Sequence, residues 1–503
     1  MARPLAVALT FAALLSARFP LAALEAGPPV FRLPEDPRSL ERTTSYAEME
    51  AVLKELDGKG PIRVSVEGAT VKGRSLFLVH AYRGRGGTSE RWKVLLYAQQ
   101  HGDELSGKDA LLFLLRDVAR KPELLPEEVD LWVFPMMNPD GAEAGTRRNG
   151  AGADLNRDHI GLEQPETQAL HRVARRIRPD VAVDCHEFAR EPEEYRARGW
   201  RKWSDITLDG LNNPLFSPEL IGTARRWVDM VAEAEEKAGH PFLRYWVGGL
   251  PPHEEQRHSA PDIDGGLNAI GMYGGLSFIA EAAAPEGKAP PGDLGNRVDA
   301  YLTLFRTLLA GDGHRDEERR AIERARQRPL PSFLPTNYLW VNPSARVTRF
   351  PVVETATGKV VKVPTANLMT DLVVKRTVPV PLGYAVEPRA AGEFRQLLDR
   401  HGIPFEALST PRRLAAEACT LVRVEEEFDE VHSRYGGRQV VRCADGKRSE
   451  LPAGSLWVSL EGEAALRAVL VLEPASLYGL YQLPRFRALA AKDGLLPVQR
   501  VVP

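Results

Sequence analysis

Cysteine is the scarcest reactive residue in this chain. Among 503 residues only Cys185, Cys419 and Cys443 occur, too few for a disulfide scaffold, and Cys-x-x-Cys is absent. Cys419 and Cys443 fall on neighbouring strand-like runs. Two readings stay open there: one bridge in an oxidising compartment, or two free thiols. A dominant charge is also missing. The 66 Lys and Arg against 68 Asp and Glu leave no global field that would argue for nucleic acid or an anionic membrane surface. Beyond the N-terminus no apolar run is long enough to span a bilayer. Internal repeats and low-complexity tracts are absent too.

What is present begins with an ordinary balance. Hydrophobic residues make up 43% and charged residues 27% of the chain, as in soluble globular proteins, and the length predicts more than one domain. The first residues depart from that average. Met1-Ala2-Arg3 precedes an apolar run from Leu5 to Ala17, followed by Arg18, Pro20 and the small residues Ala22, Ala23 and Ala26. A basic start, a short apolar stretch and small residues near a cut describe a secretory signal peptide over residues 1–26. The protein is therefore expected to be exported, periplasmic or secreted. A buried N-terminal helix is the competing reading.

Apolar periodicity then alternates between helical and strand-like. It predicts a helix within 42–56, strands at 62–66, 75–79 and 93–98, and a helix from 108 to about 120. Further strands are predicted at 130–134, 181–185 and 276–280, with helices at 165–176, 219–238 and 294–309. Strands alternating with helices indicate an α/β fold, a mixed and largely parallel sheet sandwiched by helices. In such folds ligands collect beyond the C-terminal strand ends. Segments 146–159 and 246–268 read as loops, the second long enough to be functional. The charge-dense 315–328 reads as a solvated helix leading away from the core. After Pro329, short Val-rich runs broken by Pro and Gly predict a smaller mixed α/β domain. The expected division is 1–26, 27–314, a charged helical linker at 315–329, and 330–503.

The chemistry centres on Gln99-Gln100-His101-Gly102-Asp103-Glu104-Leu105-Ser106-Gly107, at the turn from a strand into a helix. An imidazole and a carboxylate two residues apart can hold one divalent cation. Zinc takes such donors at about 2.0–2.2 Å and, with three protein ligands, keeps its fourth position for water. Alone, His-x-x-Glu equally describes a solvated loop with a carboxylate favouring the next helix dipole. Its company shifts the balance. His186 follows the strand 181–185, and Glu281 ends the apolar run Phe278-Ile279-Ala280, where an unpaired carboxylate is rare. His101, His186 and Glu281 all fall at C-terminal strand ends.

With Arg147 and Asp154-Leu155-Asn156-Arg157 added, the chain resembles the M14 zinc carboxypeptidase family over roughly residues 45–309. The resemblance implies that His101, Glu104 and His186 bind one zinc ion per chain. It implies Glu281 as general base and acid, and Arg147 as the group that polarises the scissile carbonyl. Asn156 and Arg157 match the pair that holds a substrate's terminal carboxylate, and Asp154 matches an acceptor for the first histidine. The residue types suit those roles: a carboxylate carries protons between water and leaving amine, one guanidinium stabilises an oxyanion, and another grips a carboxylate bidentately. The implied substrate is a peptide or peptide-like molecule with a free C-terminal carboxylate. The part after Pro329 is similar to the accessory domain of some bacterial secreted members and brings no chemistry.

Some positions depart from the family pattern. Asp158-His159 replaces the usual aromatic after the Asn-Arg pair. Of two tyrosines upstream of Glu281, Tyr273 is the nearer and is expected to contact substrate, Tyr245 lying further away. Glu187 beside His186 is placed to shape the pocket. His253-Glu254-Glu255-Gln256-Arg257-His258 imitates His-Glu-x-x-His, but its second histidine comes one residue late and leaves the shared helix face. The expected function is a zinc metallocarboxypeptidase. The alternatives are a zinc amidohydrolase acting on cell-wall peptides or acylated amino acids, and a silent peptide-binding member. Glu281 argues against silence, because a binding module needs no base.

Overall fold

A computed structural model describes residues 31–84, 91–285, 292–311, 313–426, 430–444 and 447–503. The expected leader, 1–26, lies outside the described residues. Among those described, no helix is long and apolar enough to cross a membrane.

The strands up to Glu281 are β1 (Ile62–Ala69), β2 (Ser75–Tyr82), β3 (Trp92–Ala98), β4 (Val129–Phe134), β5 (Val181–Ala189), β6 (Trp200–Lys202), β7 (Ile206–Gly210), β8 (Phe242–Arg244), β9 (Val247–Gly248), β10 (Gln256–Arg257) and β11 (Leu276–Ala284). Eight of them form one sheet in the order β1-β2-β4-β3-β5-β11-β7-β8. Its centre, β4-β3-β5-β11, is parallel. Antiparallel β2 and β7 flank that centre. This is the mixed α/β sheet that the alternation of strands and helices predicts.

A parallel centre must be covered on both faces. The helices that do so are among α1 (Tyr46–Leu56), α2 (Ser106–Arg120), α3 (Pro139–Ala144), α4 (Pro165–Ile177), α5 (Glu193–Ala197), α6 (Pro218–Ala238), α7 (Gly266–Gly271), α8 (Asp293–Ala310) and α9 (Arg315–Gln327). Strand periodicity divides the work. Val94, Leu96, Val183 and Cys185 face one way, towards α2, α6 and α8. Leu95, Tyr97 and Ala182 face the other way, towards Leu170, Val173 and Ile177 of α4 and Ile270 of α7. Leu111, Leu112 and Leu115 of α2 are fully buried, each side chain contributing about 1.5–3 kcal/mol.

The charged stretch at 315–328 does not lead away from the core. In α9, Ala321 and Ile322 are buried, and the buried Glu318 accepts a hydrogen bond from Trp227 Nε1 of α6. Two apolar positions and one paired carboxylate suffice to dock a helix whose charges otherwise face water. Beyond it come β12 (Phe333–Val341), β13 (Thr348–Glu354), β14 (Val360–Thr365) and β15 (Leu368–Met369). β13 pairs with both β14 and β6, and β15 pairs with β10. Strands from both sides of Pro329 thus share two small sheets. A six-stranded antiparallel sheet around Gly383–Val386 and Val498–Val502 carries α10 (Ala391–His401). Cys419 and Cys443 lie opposite each other in register and are joined as a disulfide, while Cys185 is a buried free thiol.

Candidate active site

The turn after β3 is forced tight. Gln99 takes a left-handed backbone at φ 60°, a conformation that costs a non-glycine residue of order 1 kcal/mol or more. Its side-chain Nε2 donates to the Gly102 carbonyl at 2.9 Å. A Cβ on Gly102 would lie 2.1 Å from the Gly141 carbonyl carbon, and one on Gly107 would lie 2.8 Å from the Cys185 Cβ. Only glycine lets the turn press against α3 and the start of α2 press against β5. The result brings Glu104 beside His186.

Three donors then converge. Glu104 Oε1 lies 2.7 Å from His101 Nδ1, and its Oε2 lies 2.7 Å from His186 Nδ1. The two Nδ1 atoms are 3.1 Å apart, and one donor atom from each residue falls within 4.8 Å of the others. The outer nitrogens face carboxylates. His101 Nε2 is 3.2 Å from Asp154 Oδ1, and His186 Nε2 is 3.0 Å from Asp184 Oδ2. An Nε2–H donated to each carboxylate leaves the Nδ1 lone pairs pointing inward, as a metal requires. Burial would lower the His186 imidazole, yet Asp184 and Glu104 hold it well above its ordinary range. Burial would likewise raise Glu104, but His101 and His186 overturn that and keep its carboxylate far below the usual range. Two nitrogens, a carboxylate and an excess of negative charge are the donor set and field that zinc takes. The residues fit the metal.

The other expected residues divide. Glu281 sits in register between His186 on β5 and Thr207 on β7 and lines the same cavity of about 240 Å3 as His101 and Glu104. Burial pushes its carboxyl up to about 7, with Glu104 adding to the shift and His186 opposing it. Arg147 donates through Nε to Asp154 at 3.0 Å and holds Nη1 3.2 Å from His101 Nδ1. Its side chain is 43% exposed, facing the cavity. Asp154 also accepts the Asn156 amide N–H at 3.1 Å. Arg157 lines the cavity, gives one N–H to the Asn156 carbonyl, and has no carboxylate in ion-pair contact among the described residues. Asn156 is more occupied than expected. Its Oδ1 accepts the Gly266 N–H at 2.8 Å, and its Nδ2 faces His186 Nε2 at 3.2 Å.

One expectation needs correction, and two neighbouring readings gain detail. Tyr273 is not in the cavity. It is buried in the cluster on the α4 face of the sheet, and its hydroxyl is bonded to His171 Nδ1 at 2.8 Å. Tyr245, on the segment leading into the loop over the site, lines the cavity instead. Glu187 does line it, but its Oε1 is taken by the Ser106 N–H at 2.8 Å and by Arg297, so the carboxylate is largely structural. His258 stacks on Trp246 with ring centres 4.0 Å apart and bonds the Tyr245 carbonyl at 2.9 Å, away from the metal donors, while its neighbours Arg257 and Ser259 line the cavity.

Some contributors escaped the sequence reading. Asp184 and Gln100 brace His186, Gln100 Nε2 donating to Asp184 Oδ2 at 2.8 Å. His159 continues the chain from Gln100 Oε1 at 2.9 Å to His171 Nε2 at 3.0 Å, which explains why histidine stands where an aromatic was expected. A buried acid on a central strand, two residues before a histidine and so on its face, was the available signal for Asp184. Asp262 lines the cavity as well, and so does Arg434 from the C-terminal part, which therefore does reach the site.

Residues 49–175 match the family model described as zinc carboxypeptidase. Carboxypeptidase 2 of Trichophyton tonsurans is 36% identical over 204 residues, covering 39% of this chain and 37% of that protein. Carboxypeptidase SOL1 of Arabidopsis thaliana is 29% identical over 179 residues, covering 31% of this chain and 36% of that protein. The chain thus spans little more than a third of the length of these curated relatives. Among solved structures, a metallo-carboxypeptidase from Pseudomonas aeruginosa in complex with (2-guanidinoethylmercapto)succinic acid aligns with a TM-score of 0.42 and 24% identity, over 55% of this chain and 70% of that one.

Proposed function

We propose, from the match of residues 49–175 to the zinc carboxypeptidase family model, that this chain is a zinc-dependent metallocarboxypeptidase removing C-terminal residues from peptides. The observation that carries the reading is the convergence of His101, Glu104 and His186 at the edge of a cavity that His101, Glu104 and Glu281 line together. His101 and His186 through Nδ1, and Glu104 through its carboxylate, would hold one zinc ion per chain. Bound there, zinc lowers the pKa of a water molecule and polarises a carbonyl.

The chain's own residues do the rest. Glu281, its carboxyl raised to about 7, is matched to take a proton near neutral pH and return it to the departing amine. Arg147 presents a guanidinium where an oxyanion develops, and Asp154 and Asp184 hold the two imidazoles in the required tautomer. Arg157 receives the substrate's terminal carboxylate, with Asn156 fixing the Gly266 backbone beside it. The signal-like first residues and the Cys419–Cys443 bridge support export to an oxidising compartment.

One observation keeps the amidohydrolase reading in view. Asn156 accepts the Gly266 N–H through Oδ1 and turns its Nδ2 towards the His186 ring, away from the Arg157 guanidinium, so Arg157 bears the carboxylate clamp alone. Metal analysis and turnover separate the readings. Purified protein should carry about one zinc per chain. It should cleave a peptide with a free C-terminus at least about tenfold faster than its C-terminal amide, the loss of one charged hydrogen-bonded pair. Equal rates on the two substrates would transfer the assignment to the amidohydrolase.

A further inference from the structure

We propose that a cleft between the main sheet's outer helices and the C-terminal part binds one tetrahedral oxyanion of the phosphate or sulfate type, apart from the catalytic cavity. Five guanidinium groups line it: Arg175, Arg178, Arg326, Arg328 and Arg467, with Glu463 the one carboxylate among the lining residues. None of these residues lines the catalytic cavity.

The charges do not balance locally. Arg178 pairs with Glu463 at 2.9 Å and Arg326 with Asp180 at 2.9 Å. The other three reach no carboxylate: they bond carbonyls, and Arg467 also lies over the Tyr273 ring at 5.3 Å. Arg175 donates to Asp399 and Arg400 at 3.2 and 3.4 Å, Arg467 to Gly402 at 3.4 Å, and Arg328 to Phe216 at 3.1 Å. Arg175 and Arg467 share the C-terminal end of α10, whose dipole amounts to roughly half a negative charge. That leaves most of three positive charges uncompensated in one hollow. Nε of Arg326 and Nε of Arg467 are buried and have no hydrogen-bond partner among the described residues. A buried, unsatisfied charged donor costs well over 1 kcal/mol.

Room and access agree with the chemistry. The cleft encloses about 120 Å3, where one water needs roughly 10–15 Å3 measured in the same way, so a tetrahedral oxyanion fits. It adjoins a wider hollow of about 670 Å3 that shares Arg178, Arg326, Arg328 and Glu463 and adds Lys93 and Glu323, an approach with four cations against two carboxylates. Guanidinium forks match such an anion bidentately. Because Arg467 comes from the C-terminal part and Arg175 from α4, an anion held here ties the two parts together.

The test is calorimetric titration of zinc-loaded full-length protein with inorganic phosphate, then sulfate, at ionic strength fixed with sodium chloride, paired with thermal melts. One saturable anion per chain is expected, with a rise in Tm beyond that given by chloride. Arg467→Gln and the exposed Arg328→Ala should each weaken binding about tenfold or more. Arg157→Ala, which alters the catalytic cavity, should leave it unchanged. Absence of saturable binding at millimolar phosphate overturns the proposal. So does binding lost in Arg157→Ala but kept in both Arg328→Ala and Arg467→Gln.

Discussion

Replacing Glu281 by Gln separates its proton chemistry from everything else it does. The carboxylate lies in register with His186 on the adjacent strand, makes no hydrogen bond with another side chain among the described residues, and lines the catalytic cavity. Gln keeps its shape and removes its basicity. A positioned general base contributes about 10²–10⁴ in rate, or roughly 3–5 kcal/mol, so kcat/KM should fall by that factor while zinc content stays at one per chain. A second consequence concerns stability. In the fold the carboxyl titrates at about 7, whereas in an unfolded chain it titrates near about 4.3. The stability associated with the protonated form is therefore complete below the unfolded value and lost as pH rises through 7. Gln does not suffer that loss. In metal-stripped protein, the stability of the variant relative to the parent should grow between acid pH and pH above 7 by up to about 3 kcal/mol. Cavity water screens one edge of the carboxylate, so that figure is an upper one. Turnover of a peptide substrate, elemental analysis and denaturant melts at both ends of the range measure all three. A variant within tenfold of the parent rate, or one that loses zinc along with activity, refutes the assignment of Glu281 as base.

Asp184→Asn should lower zinc affinity about 10–100-fold, the usual cost of disturbing a carboxylate behind a ligating histidine, as read by competition with a chromogenic chelator; unaltered affinity would remove Asp184 from the orientation of His186. His401→Gln probes burial away from the candidate active site. The His401 ring donates to the Ile160 carbonyl at 2.7 Å, and burial lowers it to about 4. The unfolded chain therefore takes up its proton first as pH falls below about 6.5, costing the fold about 2 kcal/mol by pH 5. Gln retains a donor without that cost, so denaturant melts at pH 7 and 5 should show the parent losing about 2 kcal/mol more than the variant.

Local chemistry made the His101, Glu104 and His186 cluster legible before any coordinates. A strand running into a helix with His and Glu on the turn, a second histidine at a strand end and a carboxylate closing an apolar run each break a local rule, and rules break where chemistry is needed. Asp184 breaks the same rule as Glu281. It passed as a strand residue because His186 drew the attention two positions later. The parallel centre of the sheet was equally legible, since each strand there is followed by a helix-periodic stretch. The packing of α9 was not, because two apolar side chains and Glu318 carry it within a segment that is otherwise charge.

The remaining misplacements share a cause that spacing along the chain does not expose. Tyr273 stands eight positions before Glu281 and yet lies on the α4 face of the sheet, because α7 and its last turn pack there with Ile270. Tyr245, much further back, enters the cavity because its amide is tied to the Leu208 carbonyl at 3.0 Å and β7 runs beside β11. Arg434 arrives from the far side of Pro329 with no local pattern to announce it. The proposed ligands and base come from strand ends and from the turn after β3, which topology places together, so their residue types betray them. Substrate-facing side chains come from loops, whose direction is set by which face the next helix covers, and residue type alone does not encode that choice. Substrate preference should therefore respond to changes at Tyr245, Asp262 and Arg434, which share the cavity with Arg157, and not to changes at Tyr273.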